Sequence, residues 1–581
     1  MSSAAATASR RAFLGLPSKA AGAKGTSPSI FADSFESPAP PGPAAAIIAL
    51  NRMAYGPRPG DIAAFNALGG NDTARIAAYV EQQLDPGLDD STCAARIAGA
   101  GYTTLSKTMA QLWSDHVRDR GNQGLDDYPF RYYPCAETEC VKLLRAVYSR
   151  RQLFEVTVDF WHNHFNVQGW DFNIAPLFVQ YDRDVIRPHA FGNFREMLEE
   201  VAKAPAMLQY LDNKSSRGSS FNENFARELC ELHTLGVDNY YPGNNPNVIP
   251  NLPGETIAAG YCDNDVYEAA RALTGWTMRD DHWEFPNTPE YDSGEFMYYA
   301  DWHDVANKYF LHQFIPPNQP AQKDGRDVFD LLCQHPGTAA HLCTKLCRRF
   351  ISDDPPQALI ESAAAIWQQH WQSSDQITRV LRHILNSDAF RETWGEKLKR
   401  PWEALAHAMR ATQAEVDPQP YPDWSPYGNL YSLLQQSGNR PFRWPTPDGY
   451  PDVSEKWSGV STLAQTWRMM SRLFELRPPG EPENGDYLCD VVAQTNAALP
   501  AGARNASGIV DFWIDRIFSQ PIPDSRRSQV VDFLRQNAPA NEALVTTTNS
   551  WSANNLKQHY TQSRLRSALA LLFMTPEFYR R

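Results

Sequence analysis

Apolar residues recur at helical spacing along most of the chain, and this periodicity predicts a largely helical protein. Short amphipathic stretches open at Ala46 to Met53, Asp61 to Leu68 and Asp72 to Leu84. A longer one runs from Cys135 to Phe160, marked by Leu143, Leu144, Val147, Phe154 and Val158. Asn193 to Leu211 reads as a helix broken in register by Pro205, and Asn222 to Gly236 and Asp263 to Trp276 follow. Beyond Gly325 the pattern gives helices at Asp327 to Cys333, Thr338 to Phe350, Gln357 to Gln369, Ser374 to Leu385 and Pro401 to Thr412. Thr462 to Leu476, Gly508 to Phe518, Ser528 to Asn537 and Gln558 to Phe573 close the series.

Three interruptions carry information. Residues 238–261 are rich in Pro, Asn and Gly without periodicity, and loops of that length are usually functional or disordered. Thr277 to Phe314 holds many aromatics, with a β-like run at Phe296 to Tyr299, which predicts a small hairpin inserted in the helical body. Gln435 to Trp457 cannot be helical through its prolines; Phe442, Trp444, Tyr450 and Trp457 there either line a groove or fill gaps between helices. The expected architecture is therefore mainly α, a large bundle-like body with long Pro/Gly-rich loops and a small β-hairpin insertion. Residues 1–43 read as a signal-like segment and linker, and residues 44–581 as one large domain with a subdivision point near residue 320.

Composition narrows the function. A formal charge of −13 without any Lys/Arg-rich block argues against a nucleic-acid partner. No run approaches the roughly 18 apolar residues of a membrane span. The nine cysteines include no C-x-x-C pair, so they read as buried thiols, with a Cys135–Cys140 disulfide open to an exported chain. No Gly-x-Ser-x-Gly elbow, phosphate loop or dinucleotide-binding turn appears.

Two segments concentrate the chemistry. On an α-helix, Phe225, Leu229, Leu232 and Gly236 form an apolar stripe, leaving Asn224, Arg227, Glu228 and Glu231 on a polar face with His233 nearby. Such a face is either simply solvated or able to bind a metal or run acid/base chemistry. In Phe160-Trp161-His162-Asn163-His164-Phe165 the two histidines diverge by about 200° on a helix, so joint ligation requires the helix to end near Trp161. Trp302-His303-Asp304 and Lys308 add a third imidazole, an orienting carboxylate and a cation able to hold an anion; a loop cap and a surface lysine are the plainer reading. Asp212 and Asn213 stand either at the site or as a helix cap and turn.

The segments FWHNHF, AMLQYLDN, NENFARELCELHTLGV, DVYEAARALTGW, WHDVANK and LFMTPEFYRR resemble the bacterial domain-of-unknown-function 1800 family, from about Ala45 onward. The resemblance implies a mostly helical exported protein and no settled activity. Ser9-Arg10-Arg11-Ala12-Phe13-Leu14 is similar to a twin-arginine export signal, which implies a periplasmic or exported protein; the h-region is weakly apolar, and a cytoplasmic location is the alternative. The reading these residues support is a metal-dependent enzyme oxidising a small organic substrate. Its divalent transition metal, iron, copper, manganese or zinc, would take ligands from His162, His164, Glu228, Glu231 and His233. Arg227, Glu228, Glu231, His303, Asp304 and Lys308 are the expected catalytic set, and Asn224, Asp212 and Asn213 the cofactor-binding set. A zinc-type hydrolase, acid/base catalysis by Glu228 and His233 without metal, and a metal-free exported binding or assembly protein with a buried polar network are the competing readings.

Overall fold

Helix Pro401–Ala411 starts with proline at its first turn, where a missing N–H costs no hydrogen bond, and Glu403 accepts the Arg400 backbone N–H at 2.8 Å. Four of its residues are small alanines that let neighbours approach closely, and all 11 residues are buried. A helix buried on every side belongs at the centre of a core. Helices Asp127–Tyr148, Val460–Leu473 and Ala506–Phe518 pack around it. Helix Ala45–Arg52 is likewise buried throughout, its Arg52 guanidinium donating to the carbonyls of Phe390 and Thr393 at 3.1 and 2.6 Å.

This computed structural model describes residues 42–118, 127–420, 426–478, 487–552 and 554–581. The Arg10-Arg11 segment lies outside them. The described chain is mainly α, and its described residues from 42 to 581 form one compact unit. Helices Lys323–Gln334, Pro336–Phe350, Gln357–Gln369 and Gln376–Leu385 pack each on the next. No helix among the described residues is long and apolar enough to cross a membrane.

Where one hairpin was expected there are two. Strand β1 (Trp276–Asp280) pairs antiparallel with β2 (Asp292–Tyr298), Met278 facing Phe296, with an irregularity before Asp280. Strand β3 (Lys308–Phe310) pairs with β4 (Gln313–Ile315) through a two-residue turn. That turn holds Leu311 and His312 at φ 49° and 65°, the left-handed conformation a tight hairpin needs but glycine usually supplies. Tertiary bonds enforce it: the Leu311 N–H donates to Asp265 at 2.8 Å and its carbonyl accepts from Ala258 at 3.1 Å.

The long Cys135 to Phe160 stretch is two helices, Asp127–Tyr148 and Gln152–His164. Polar side chains capture the backbone at the break. Asp90 accepts from the Ser149 hydroxyl and the Arg150 N–H, while the Gln152 amide donates to Ser149 O at 2.9 Å. All nine cysteines are buried free thiols, so the Cys135–Cys140 disulfide is not formed.

These helices are tied by buried charge. Asp159 accepts from Lys142 at 2.5 Å and from Arg400 at 2.7 Å. Glu403 takes Arg349 in a short contact, Arg581 at 3.2 Å and Arg400 at 3.5 Å. Burial alone would raise both carboxyls; the surrounding cations outweigh it and hold them well below the usual carboxylate range. Replacing Glu403 by glutamine leaves three guanidiniums facing a neutral amide. Such broken buried pairs cost about 3–5 kcal/mol. Urea unfolding of Glu403→Gln should show a correspondingly lower midpoint, and an unchanged midpoint would remove this network from the account of stability.

Candidate functional site

Helix Gln152–His164 does not stop at Trp161; it continues through His164. Its two histidines consequently leave on opposite sides, and the shared face needed for joint ligation does not exist. His162 Nε2–H donates to Asp182 Oδ1 at 2.8 Å. Its ring lies among Phe178, Tyr181 and Phe442. Burial, more than the opposing Asp182 hydrogen bond, lowers its pKa and keeps the imidazole neutral. Asp182 stays ionised despite burial, because His162, Arg187 and Arg145 surround it.

A small cavity beside His162 is walled by Lys142, Asp159, Arg400, Asn163, Phe442 and Tyr450. Its volume of about 30 Å³ admits water and excludes an organic substrate. The Pro/Gly-rich segment closes it. Asn163 clamps Tyr450 through two bonds of 2.8 and 2.7 Å, and Asn166 donates to the Trp444 and Thr446 carbonyls. Gly449 makes the close approach possible: it has φ 72°, and a Cβ there would sit 2.1 Å from the Asn163 carbonyl oxygen. Phe442 is held at φ 60° at the cavity wall, a strained conformation for an aromatic residue.

His164 looks the other way, toward a cluster of imidazoles. Its Nε2–H donates to the His233 carbonyl at 3.1 Å, and its Nδ1 accepts from Lys345 Nζ at 2.8 Å. The His164 and His233 rings are 6.0 Å apart. His341 Nε2–H donates to the Leu232 carbonyl at 3.2 Å. His233 is fully buried, and neither ring nitrogen has a protein partner among the described residues. Burial, then the Lys345 charge, drives His164 well below the ordinary imidazole value and His233 and His341 to about 3.

The acidic face expected at residues 224–231 is rearranged by helix type. Helix Glu223–Glu228 passes into a π-helix at Leu229–His233, whose wider turn shifts every later side chain. Cys230 and His233 are buried in place of the expected Leu232. Glu228 is buried; burial first, then Asp448 and Glu228, raises the Tyr210 phenol, and burial, then Cys230 and Glu231, raises that of Tyr261. Arg227 pairs with Asp263 at 3.2 Å and with Glu223 at 3.6 Å, tying its helix to Asp263–Ala272. Asn222, whose side chain caps the helix, also donates to the Asp212 carbonyl, and Asn224 donates to Leu211 O at 3.4 Å. Asp212 takes the left-handed turn at φ 56°, and the Asn213 amide bridges the Leu273 and Trp276 carbonyls. These are the cap-and-turn roles.

His303, Asp304 and Lys308 form a separate clamp around the hairpins. His303 bridges the Thr274 carbonyl at 2.9 Å and Asp324 at 3.2 Å. Asp304 receives Arg271 at 2.7 Å. Lys308 is fully buried with three oxygen partners, the Asp304 and Ala306 carbonyls and Asp324, so its donors are used within the protein.

Of the expected ligands only His164 and His233 are brought together in one cluster, His162 faces Asp182 on the other side of its helix, and both ring nitrogens of His164 are already bonded. Among the described residues no group of three or more His, Cys, Asp or Glu side chains is placed to hold a metal ion. The residues present do not fit the expected metal centre. A family model described as "Protein of unknown function (DUF1800)" matches residues 48–580. The chain belongs to this family. No curated protein and no solved structure matches it.

The DUF1800 match spans both histidine-bearing segments, yet several partners there escaped the sequence reading. Asp182 sits in a π-helix, Tyr181–Ile186, without an amphipathic signature. His341 and Lys345, four apart in a regular helix, did offer a signal, because that spacing puts an imidazole and an amine on one face. The histidine cluster has a pH consequence. Unfolded histidines take up protons near 6.5, whereas the folded cluster resists to about 3, so stability is full above pH 6.5 and declines as pH falls below it. Each such histidine contributes about 1.4 kcal/mol per pH unit. Urea unfolding between pH 6.5 and 4.5 should show this slope, reduced by about one histidine's share in His233→Leu. An undiminished slope would remove His233 from the cluster's energetics.

Proposed function

We propose that the chain is a metal-free binding or assembly protein, in which the chemically active residues form buried networks fixing the helices in register. The observation that carries this reading is the divergence of His162 and His164: each is engaged on its own side by protein groups, with only water-sized space recorded beside His162. The saturated Lys308, the capping Asp212 and the helix-tying Arg227 support it in the same way. Export of the folded chain through Arg10-Arg11 belongs to the same proposal. Buried thiols suit that route, since a folded protein with no accessible thiol is protected in an oxidising compartment.

The metal-dependent oxidation expected from the sequence, and its hydrolytic variant, require an ion in stoichiometric amount. Elemental analysis of the purified protein should find iron, copper, manganese and zinc each far below one per chain. His162→Ala and Glu228→Ala should lower the melting temperature without changing those contents. A stoichiometric metal lost in either variant would overturn the binding reading in favour of the metalloenzyme.

A further inference from the structure

A cleft beside the helix break after Tyr148, not lined by any of the expected site residues, has the features of a ligand site. It is lined by Arg58, Asp61, Thr92, Arg96, Tyr148 and Glu415, among others, and encloses about 410 Å³. Two guanidiniums lie over the same Tyr148 ring, Arg96 at 4.0 Å and Arg58 at 5.2 Å from its centroid. Arg96 is satisfied by both Glu415 oxygens at 3.0 and 3.1 Å. Asp61 is taken by Arg410 at 3.2 Å and by the Arg58 backbone N–H at 2.8 Å. Among the described residues, no hydrogen bond or ion pair reaches the Arg58 guanidinium itself. The cleft's lining carries Arg58 and Arg96 against Asp61 and Glu415, and because Asp61 is also taken by Arg410 of the neighbouring cavity and Glu415 by Arg96, Arg58 is the guanidinium without an ion-pair partner among the described residues.

Arg58 and Asp61 also border a second cavity of about 160 Å³. Leu50, Phe65, Leu68, Tyr79 and Leu88 give that chamber one apolar side, while Asp61, Gln83, Ser149, Arg150, Gln152 and Arg410 make the other polar. A planar fork of donors without a hydrogen-bond partner among the described residues, bordering a cavity with one apolar side, matches one kind of molecule. Guanidinium recognises carboxylate in bidentate fashion, and the chamber would take an apolar body of about one ring or a short chain. One guanidinium without an ion pair has room for one carboxylate.

We infer that the Arg58 cleft binds a small monocarboxylate with a compact apolar body, headgroup on Arg58 and body in the Leu50–Phe65–Leu68 chamber. The inference goes beyond the binding reading by naming a ligand class, and its test is separate from metal content.

Calorimetric titration of the full chain with benzoate, acetate and benzyl alcohol tests it. Benzoate should bind saturably, acetate more weakly and benzyl alcohol not measurably. Arg58→Gln, checked by its melting curve, should lose about tenfold or more in benzoate affinity, the loss of one charge-assisted bond pair. Leu68→Trp, which fills the chamber from its apolar side and keeps the Arg58 guanidinium, should weaken benzoate more than acetate. Absence of benzoate binding, or equal binding by Arg58→Gln, overturns the inference.

Discussion

The fold depends on compensating positive charge around buried carboxylates. Asp159 and Glu403 stand between Lys142, Arg349, Arg400 and Arg581, which come from four distant parts of the chain. Lys397 extends the set to Asp353 and Asp452, each at 2.9 Å, and this keeps Asp452 ionised, its pKa about 2 although burial opposes it. Desolvating so many ions is expensive, and mutual attraction offsets that cost only where geometry is good. Such a network selects one arrangement over near alternatives: a helix that slid by one residue would leave a bare charge behind. The central helix Pro401–Ala411, almost featureless in its alanines, gains a defined position from Arg400 and Glu403 at its start.

Helices were legible in the sequence because their burial is one-sided. Asp72–Leu84 and Gln357–Gln369 fall where periodicity puts them, and most others differ by a few residues at the ends. The break after Tyr148 was hidden, because what stops that helix is Asp90 and Gln152 competing for backbone groups, and Asp90 is 59 residues from Ser149 in the chain. The second hairpin was hidden for a similar reason. Nothing in Leu311-His312 announces a left-handed turn; Asp265 and Ala258 impose it from elsewhere.

The candidate site was less legible than the fold. Histidines, carboxylates, asparagines and arginines make metal sites and also make caps, clamps and ion pairs, and local sequence does not separate the two uses. Asn163 and Asn166 pin the Trp444–Tyr450 segment; His303 and Lys308 pin the hairpins. His303 and Lys308 were conspicuous as possible reagents and are bonded to protein groups; Asn163 and Asn166 were not singled out. Arg58 shows the converse. It lies in an unremarkable Pro-Arg-Pro-Gly turn, and only the folded chain reveals a guanidinium without an ion pair among the described residues, beside a cavity with one apolar side.

The wide turn at Leu229–His233 bears on how such chains can change length. One residue more than an α-helix needs is accommodated there without breaking the helix. Excising one residue would restore the tighter winding, carry the imidazole away from His164 and Phe165, and bring its neighbour into the interior instead. Homologues that differ by a single-residue gap at this point should therefore differ in which side chain occupies the centre of the imidazole cluster, while the surrounding helices keep their places.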